Sequence, residues 1–367
     1  MNTSSRKNYL QFIKPFEKLR TKKVLQNNPT SVPIRTGNHE SIFTLYSYQH
    51  DNCTLRKQIP LSEIGISLFR SPDYYWLNVD FLNAENIEFL GHQVGIHPLI
   101  IEDILNKNQR PKLEEIDGLI TCLMHMLYYN PETNSIESEQ VSFVLGPNFL
   151  ISFQDDGHRD LFDPVREKLM IARSRLRSQK CDYLLYSLID AITDQYFVVL
   201  DRLAQQIEKL EEEITRGASG AYSMNQINDI RKELMFFKRF VSPVREMTGS
   251  IIRSESEWID EKNHKYFRDI YDHIIQANDL CETYRDVISN LRDLYLSHVN
   301  IRTNEVMKFL AIVTALLAPA TVIGGVFGMN FDRIPYLHNQ NGFWLATSLM
   351  LFIPLIMLYY FKKKDWF

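Results

Sequence analysis

Residues 308–362 read KFLAIVTALLAPATVIGGVFGMNFDRIPYLHNQNGFWLATSLMLFIPLIMLYYFK. No residue between Lys308 and Asp332 is charged, and between Arg333 and Lys362 none is charged apart from a titratable His338. A membrane span needs about 20 mainly apolar residues. Phe309 to Phe327 and Phe343 to Phe361 each supply 19, joined by the short polar loop Phe331 to Gly342. The stretch therefore reads as a helical hairpin across a bilayer. Arg302 and Lys308 precede it and Lys362, Lys363 and Lys364 follow it, whereas in the loop Arg333 is offset by Asp332. Positive charge marks the cytoplasmic side, so both termini are expected there, in a multi-pass protein of the cell (inner) membrane.

Working upstream, Ser250 to Ala318 is a run of 69 residues with neither Gly nor Pro. As one helix it would extend on the order of 100 Å, several times the bilayer core, so most of it is expected to be a stalk. Ile270, Ile274, Ala277, Cys281, Tyr284, Ile288, Leu291 and Tyr295 alternate four and three apart, a seam that packs on other helices. A second stripe, Asp272, Asp279, Asp286, Asp293, Asn300, Met307, Thr314, Thr321 and Gly328, keeps a spacing of seven. The upper aspartates fit a solvated outer face equally well, and Gly324 with Gly328 fits a small-residue helix contact. A straight helix drifts by about 20° per heptad, so the stripe is taken as one face only from Asp293 onward. Polar groups at membrane depth face a partner or a water-filled path, which assigns Asn304, Thr314, Thr321 and Asn330 to such a path. Two spans per chain cannot enclose it, and a symmetric homo-oligomer is required.

Further upstream, strand-like runs at Phe43 to Tyr48, Tyr74 to Val79, Leu119 to Tyr129 and Val141 to Phe153 alternate with helical stretches such as Ala84 to Leu90 and Leu161 to Arg177. From Asp182 the pattern is helical, with a Gly-containing break at Thr215 to Tyr222. The expected division is a flexible basic arm over 1–30, a cytosolic α/β domain over 31–180 and a helical region with the stalk over 181–305. The first membrane helix follows over 306–330, an extracytoplasmic loop over 331–342, the second helix over 343–361 and a basic cytosolic tail over 362–367. The chain is 45% hydrophobic with a net charge of -4, so nucleic acid is not an expected partner, despite seven Lys or Arg in the first 23 residues. Four scattered cysteines form no disulfide framework or zinc site. A secretory signal is not expected over the first residues, because Arg6, Lys7, Lys14, Lys18 and Arg20 break up the uninterrupted apolar stretch that one needs. Without a P-loop, a G-x-G-x-x-G after a strand or an H-E-x-x-H, the sequence does not read as an enzyme.

Phe327-Gly328-Met329-Asn330-Phe331, placed directly after the first of two C-terminal spans, resembles the G-M-N signature of the CorA family of magnesium channels. Thr303-Asn304-Glu305-Val306-Met307-Lys308 before the span and the lysine-rich tail ending in Trp366 and Phe367 are similar to the family too. The resemblance extends to Ile96-His97-Pro98-Leu99, Glu102-Asp103-Ile104-Leu105, Gln109-Arg110-Pro111-Lys112, Asp182-Tyr183-Leu184-Leu185-Tyr186 and Tyr266-Phe267-Arg268-Asp269. It implies a funnel-shaped homopentamer that conducts Mg2+, and also Co2+ or Ni2+, inward, with the end of the long helix lining the pore. Gly328, Met329 and Asn330 would form the selectivity entrance, binding the hydrated ion with amide and carbonyl oxygens. By the same resemblance Thr314 and Thr321 offer hydroxyls, Met307 and Leu310 form an apolar constriction, Asn304 a lower polar ring and Asp293 a carboxylate ring at the cytosolic mouth. Asp103 and Asp269 match a carboxylate pair that faces across subunits and binds regulatory Mg2+. Relatives often read M-P-E-L in the outer loop, whereas Ile334-Pro335-Tyr336-Leu337 puts Tyr336 at the acidic position, so cations are concentrated less at this mouth. Two other readings stand beside it. A transporter of Zn2+, Co2+ or Ni2+ is disfavoured by the lack of Cys and His near Asn330, and a membrane-tethered scaffold by the polar intramembrane stripe.

Overall fold

The computed structural model describes residues 40–70, 72–107, 109–155, 157, 159–216, 221–329, 335 and 341–364. They form two compact units. One comprises the described residues up to Gln206 with Ile230–Arg285, the other Ile207–Asp229 with the chain from Asp286 onward.

The first unit is built on a seven-stranded sheet of β1 (Ile42–Tyr48), β2 (Cys53–Arg56), β3 (Tyr74–Asp80), β4 (Lys112–Ile116), β5 (Leu119–Asn130), β6 (Ser135–Leu145) and β7 (Phe149–Gln154). Their order is β2-β1-β3-β7-β6-β5-β4. Only β3 and β7 pair in parallel, Leu77 opposite Ile151, and the other neighbours run antiparallel. β4 turns into β5 through Asp117 and Gly118, at φ 52° and 75°. Such a tight hairpin demands left-handed residues at both central positions, which Asp-Gly supplies.

Two helices, α1 (Ala84–Val94) and α2 (Pro98–Leu105), cover one face of the sheet. Asn83 caps α1 by accepting from the backbone N–H of Glu85 and Asn86, and Gly95 ends it at φ 84°. His97 caps α2 through Nδ1, ahead of Pro98 at the first helical position. Ile87, Leu90, Ile100 and Ile104 of these helices join Leu45, Leu77, Val79, Val144 and Ile151 of the sheet in one buried core. On the other face Trp76 stacks on Tyr46, and its Nε1 donates to Ser152, whose hydroxyl donates to Asn78.

A short helix α3 (Asp163–Met170) follows, then α4 (Cys181–Thr215), α5 (Ala221–Ile252), α6 (His264–Phe327) and α7 (Gly342–Lys363). The predicted helix over Leu161 to Arg177 is shorter than expected. Arg177 is buried and donates to the carbonyls of Leu169 and Met170, capping α3 at that point. The helix expected to run unbroken from Ser250 also differs: α5 stops at Ile252 and α6 begins at His264. The cause is tertiary. The buried Asp182 carboxylate accepts from the Asp260 N–H (2.8 Å) and from Asn263 Nδ2 (2.9 Å), which pins the chain in a non-helical connection.

Along α6 the predicted seam is buried at Ile270, Ile274, Ala277, Cys281, Ile288, Leu291 and Tyr295, with Tyr284 half-buried. In the second unit Met350 of α7 lies against Gly324 of α6, where an added Cβ would stand 3.7 Å from the methionine Cε. The apolar windows of α6 and α7 are each only 6% buried, so their surfaces are left for another solvent or another copy.

Candidate functional site

The final turns of α6 carry the side chains expected to meet an ion. Met307 and Leu310 are 61% and 57% exposed, and Asn304, Thr314, Thr321 and Gly328 are exposed as well. At 3.6 residues per turn Met307, Leu310, Thr314, Thr321 and Gly328 share one face. Thr314 Oγ1 donates to the Leu310 carbonyl (2.8 Å) and Thr321 Oγ1 to that of Leu317 (3.1 Å). With the hydroxyl hydrogens directed back into the helix, the oxygen lone pairs are presented outward as acceptors. This polarity suits a cation or its water shell.

Two residues on this face escaped the count of seven. Ala318 lies one turn after Thr314 and is exposed. A Cβ at Gly325 would meet nothing within 4 Å, whereas the neighbouring Gly324 faces Met350. The alternation of four and three along the helix was the signal that would have found them. At its end the Gly328 N–H donates to the Gly324 carbonyl (2.9 Å), and a Cβ at Gly328 would crowd that same oxygen at 3.0 Å. Met329 follows and is 49% exposed. Asn330, Tyr336 and the N-terminal arm lie outside the described residues. Asp293, higher on α6, is exposed, and Arg292 donates to its Oδ1 at 3.0 Å.

Asp103 and Asp269 both belong to the first unit. Asp103, on α2, receives Gln109 Nε2 on Oδ1 and Lys112 Nζ on Oδ2, each at 2.6 Å. Asp269, in the first turns of α6, is exposed. It stands near Asp190 of α4, whose carboxyl is pushed above the usual aspartate range by burial first and then by Asp194, with Asp269 adding to the effect. His273 and Lys168 partly offset that rise. Burial and the Asp190 charge likewise raise the Tyr186 phenol. The donors are hard carboxylate oxygens with surplus negative charge, the type Mg2+ accepts. Among the described residues no group of three or more His, Cys, Asp or Glu could hold a metal ion, so any site here draws donors from water or a second chain. Asp190, Asp194 and Lys112 were missed by the sequence reading. The i, i+4 acidic pair on α4 was visible in the sequence, but its approach to Asp269 was not.

The profile of the family described as CorA-like Mg2+ transporter protein matches residues 71–363. The chain belongs to the CorA family. It is 40% identical over 292 residues to the cobalt/magnesium transport protein CorA of Thermotoga maritima, covering 79% of this chain and 83% of that one. It is 25% identical over 307 residues to the cobalt/magnesium transport protein CorA of Methanocaldococcus jannaschii, covering 83% and 94%. The complete structure of the M. jannaschii CorA magnesium transporter superposes with a TM-score of 0.73 at 22% identity, over 90% of this chain and all of that one, which establishes the shared fold. This CorA-family chain is thus a membrane protein of divalent-cation transport and not an enzyme.

Proposed function

We propose that the protein is a homopentameric Mg2+ channel that also admits Co2+ or Ni2+. The observation that carries the reading is the exposed face of α6, on which an apolar pair, Met307 and Leu310, is followed by outward-facing threonine oxygens and then by Gly328-Met329. Repeated around a symmetry axis, such a face encloses a path with a dry constriction and a wet, oxygen-lined entrance. Asn330 would complete the entrance with amide oxygens that hold the hydrated ion. Asn304 and Asp293 would form the polar and acidic rings at the cytosolic end.

The same proposal places the termini and the sheet-bearing unit in the cytoplasm, with the 306–330 and 343–361 segments as the two spans. Asp103 and Asp269, from neighbouring subunits, would hold regulatory Mg2+. The bound ion supplies positive charge between facing carboxylates. Burial first, and then the charges of Asp194 and Asp269, raise the Asp190 carboxyl close by, and a bound cation would offset the charge part of that cost. High internal Mg2+ would then favour the closed, symmetric ring, and low Mg2+ would loosen it.

The test is Mg2+ influx into liposomes carrying a Mg2+-sensitive dye, with the potential held negative inside. Wild type should conduct, Asn330→Ala should lose conduction, and Asp103→Ala combined with Asp269→Ala should weaken inhibition by cytosolic-side Mg2+. Zn2+ flux without Mg2+ flux would overturn the proposal, and so would full activity of Asn330→Ala.

A further inference from the structure

The two oxygens of the Asp103 carboxylate are already engaged within the chain. Gln109 takes Oδ1, and the Lys112 ammonium, 2.6 Å from Oδ2, supplies a full positive charge. Lys112 Nζ also lies 2.9 Å from Glu114 Oε1, two residues on along β4 and therefore on the same side of the strand. The Asp103 side chain is 15% exposed and the lysine 33%, so the contact is sheltered rather than fully solvated. Gln140 Nε2 donates to the Asp103 carbonyl (3.1 Å) and holds the backbone in place.

We propose that Lys112 is a resident counter-ion that competes with Mg2+ for Asp103, and that Glu114 receives the ammonium when Mg2+ takes the aspartate. The proposal rests on the reading of Asp103 as a regulatory carboxylate. Three groups carry it. A divalent ion approaching Asp103 meets a fixed cation at hydrogen-bond distance and must displace it or bind through water. Lys112 need not enter solvent on leaving, because it keeps Glu114. The exchange therefore sets a threshold: internal Mg2+ must rise high enough to outcompete a tethered cation.

The experiment uses the full-length protein in nanodiscs and reads the Mg2+ concentration giving half-maximal protection from limited proteolysis, alongside the Mg2+ that half-inhibits dye flux. Lys112→Met keeps the aliphatic stem and removes the competitor, and should lower both midpoints about fivefold. Glu114→Gln removes the alternative partner and should raise them by a similar factor. In an Asp103→Asn background neither change should shift the midpoint further. Opposite signs for the two variants are the distinguishing result, since a merely structural contact would move both in one direction. Unchanged midpoints in Lys112→Met and Glu114→Gln, with Asp103→Asn shifted, would overturn the counter-ion exchange and leave Asp103 regulatory. An unshifted Asp103→Asn would instead remove the regulatory reading beneath it.

Discussion

Asp182 is fully buried, and the Tyr183 N–H, the Asp260 N–H and Asn263 Nδ2 all donate to its carboxylate. Deleting the acceptor leaves three donors in or near the interior without a partner. Asp182→Ala should therefore cost about 3 kcal/mol, seen as a thermal transition several degrees lower in the purified protein, with Asp182→Asn losing less. Asp190 works in the opposite sense. Its folded-state pKa is raised above the ordinary 3.8, by burial and then by Asp194, so the folded form binds the proton more tightly than the unfolded one. The resulting destabilisation is full above the raised value and fades as pH falls toward 3.8. Asp190→Asn should then raise the melting temperature at pH 7 and lose that advantage below about pH 4, which a pH series of thermal melts would show. Such residues differ in how far the sequence reveals them. Asp103 and Asp269 were reached only through family resemblance, since nothing in their local spacing marks them. Lys112 was invisible as the neighbour of Asp103 because its position depends on how α2 meets β4.

At the scale of elements, α6 combines two periodic messages in one helix. Its seam from Ile270 to Tyr295 was legible because burial of a helix side repeats every three or four residues, and the structure buries seven of those eight side chains. The two apolar spans were legible for a simpler reason, as an uncharged run of that length has few other uses. The interruption between Ile252 and His264 was not, because it comes from Asp182, far away in sequence, and not from Gly or Pro. The apolar pair on α6 gives this scale its prediction. The constriction proposed at Met307 and Leu310 would block a hydrated ion by excluding water. Met307→Ser should wet it and raise Mg2+ leak several-fold at inhibitory internal Mg2+, as read by dye flux. A flux equal to that of wild type would place the barrier elsewhere on the helix.

For the whole molecule, the decisive property is that among the described residues one chain supplies two helices long and apolar enough to span, α6 and α7, whose apolar surfaces are almost wholly uncovered. A single chain of this kind cannot surround an aqueous path, whereas a ring of identical chains can, each placing the same α6 face on the axis. The ring makes a quantitative prediction that separates it from independent conductors. If Asn330 must be present in every copy at the entrance, one Asn330→Ala subunit disables the whole channel. Mixing wild-type and Asn330→Ala chains in equal amounts before assembly would leave only about 3% of pentamers fully wild type, the fifth power of one half. Flux should fall to a few per cent of wild type, while native mass spectrometry of the same sample shows five-membered rings of all compositions. If flux falls only to about half, in proportion to the wild-type share, each chain conducts alone or mutant subunits are tolerated, and the shared entrance is wrong. A steep fall accompanied by rings of another size would keep the shared entrance and replace only the count, because the exponent reports the number of copies around the axis.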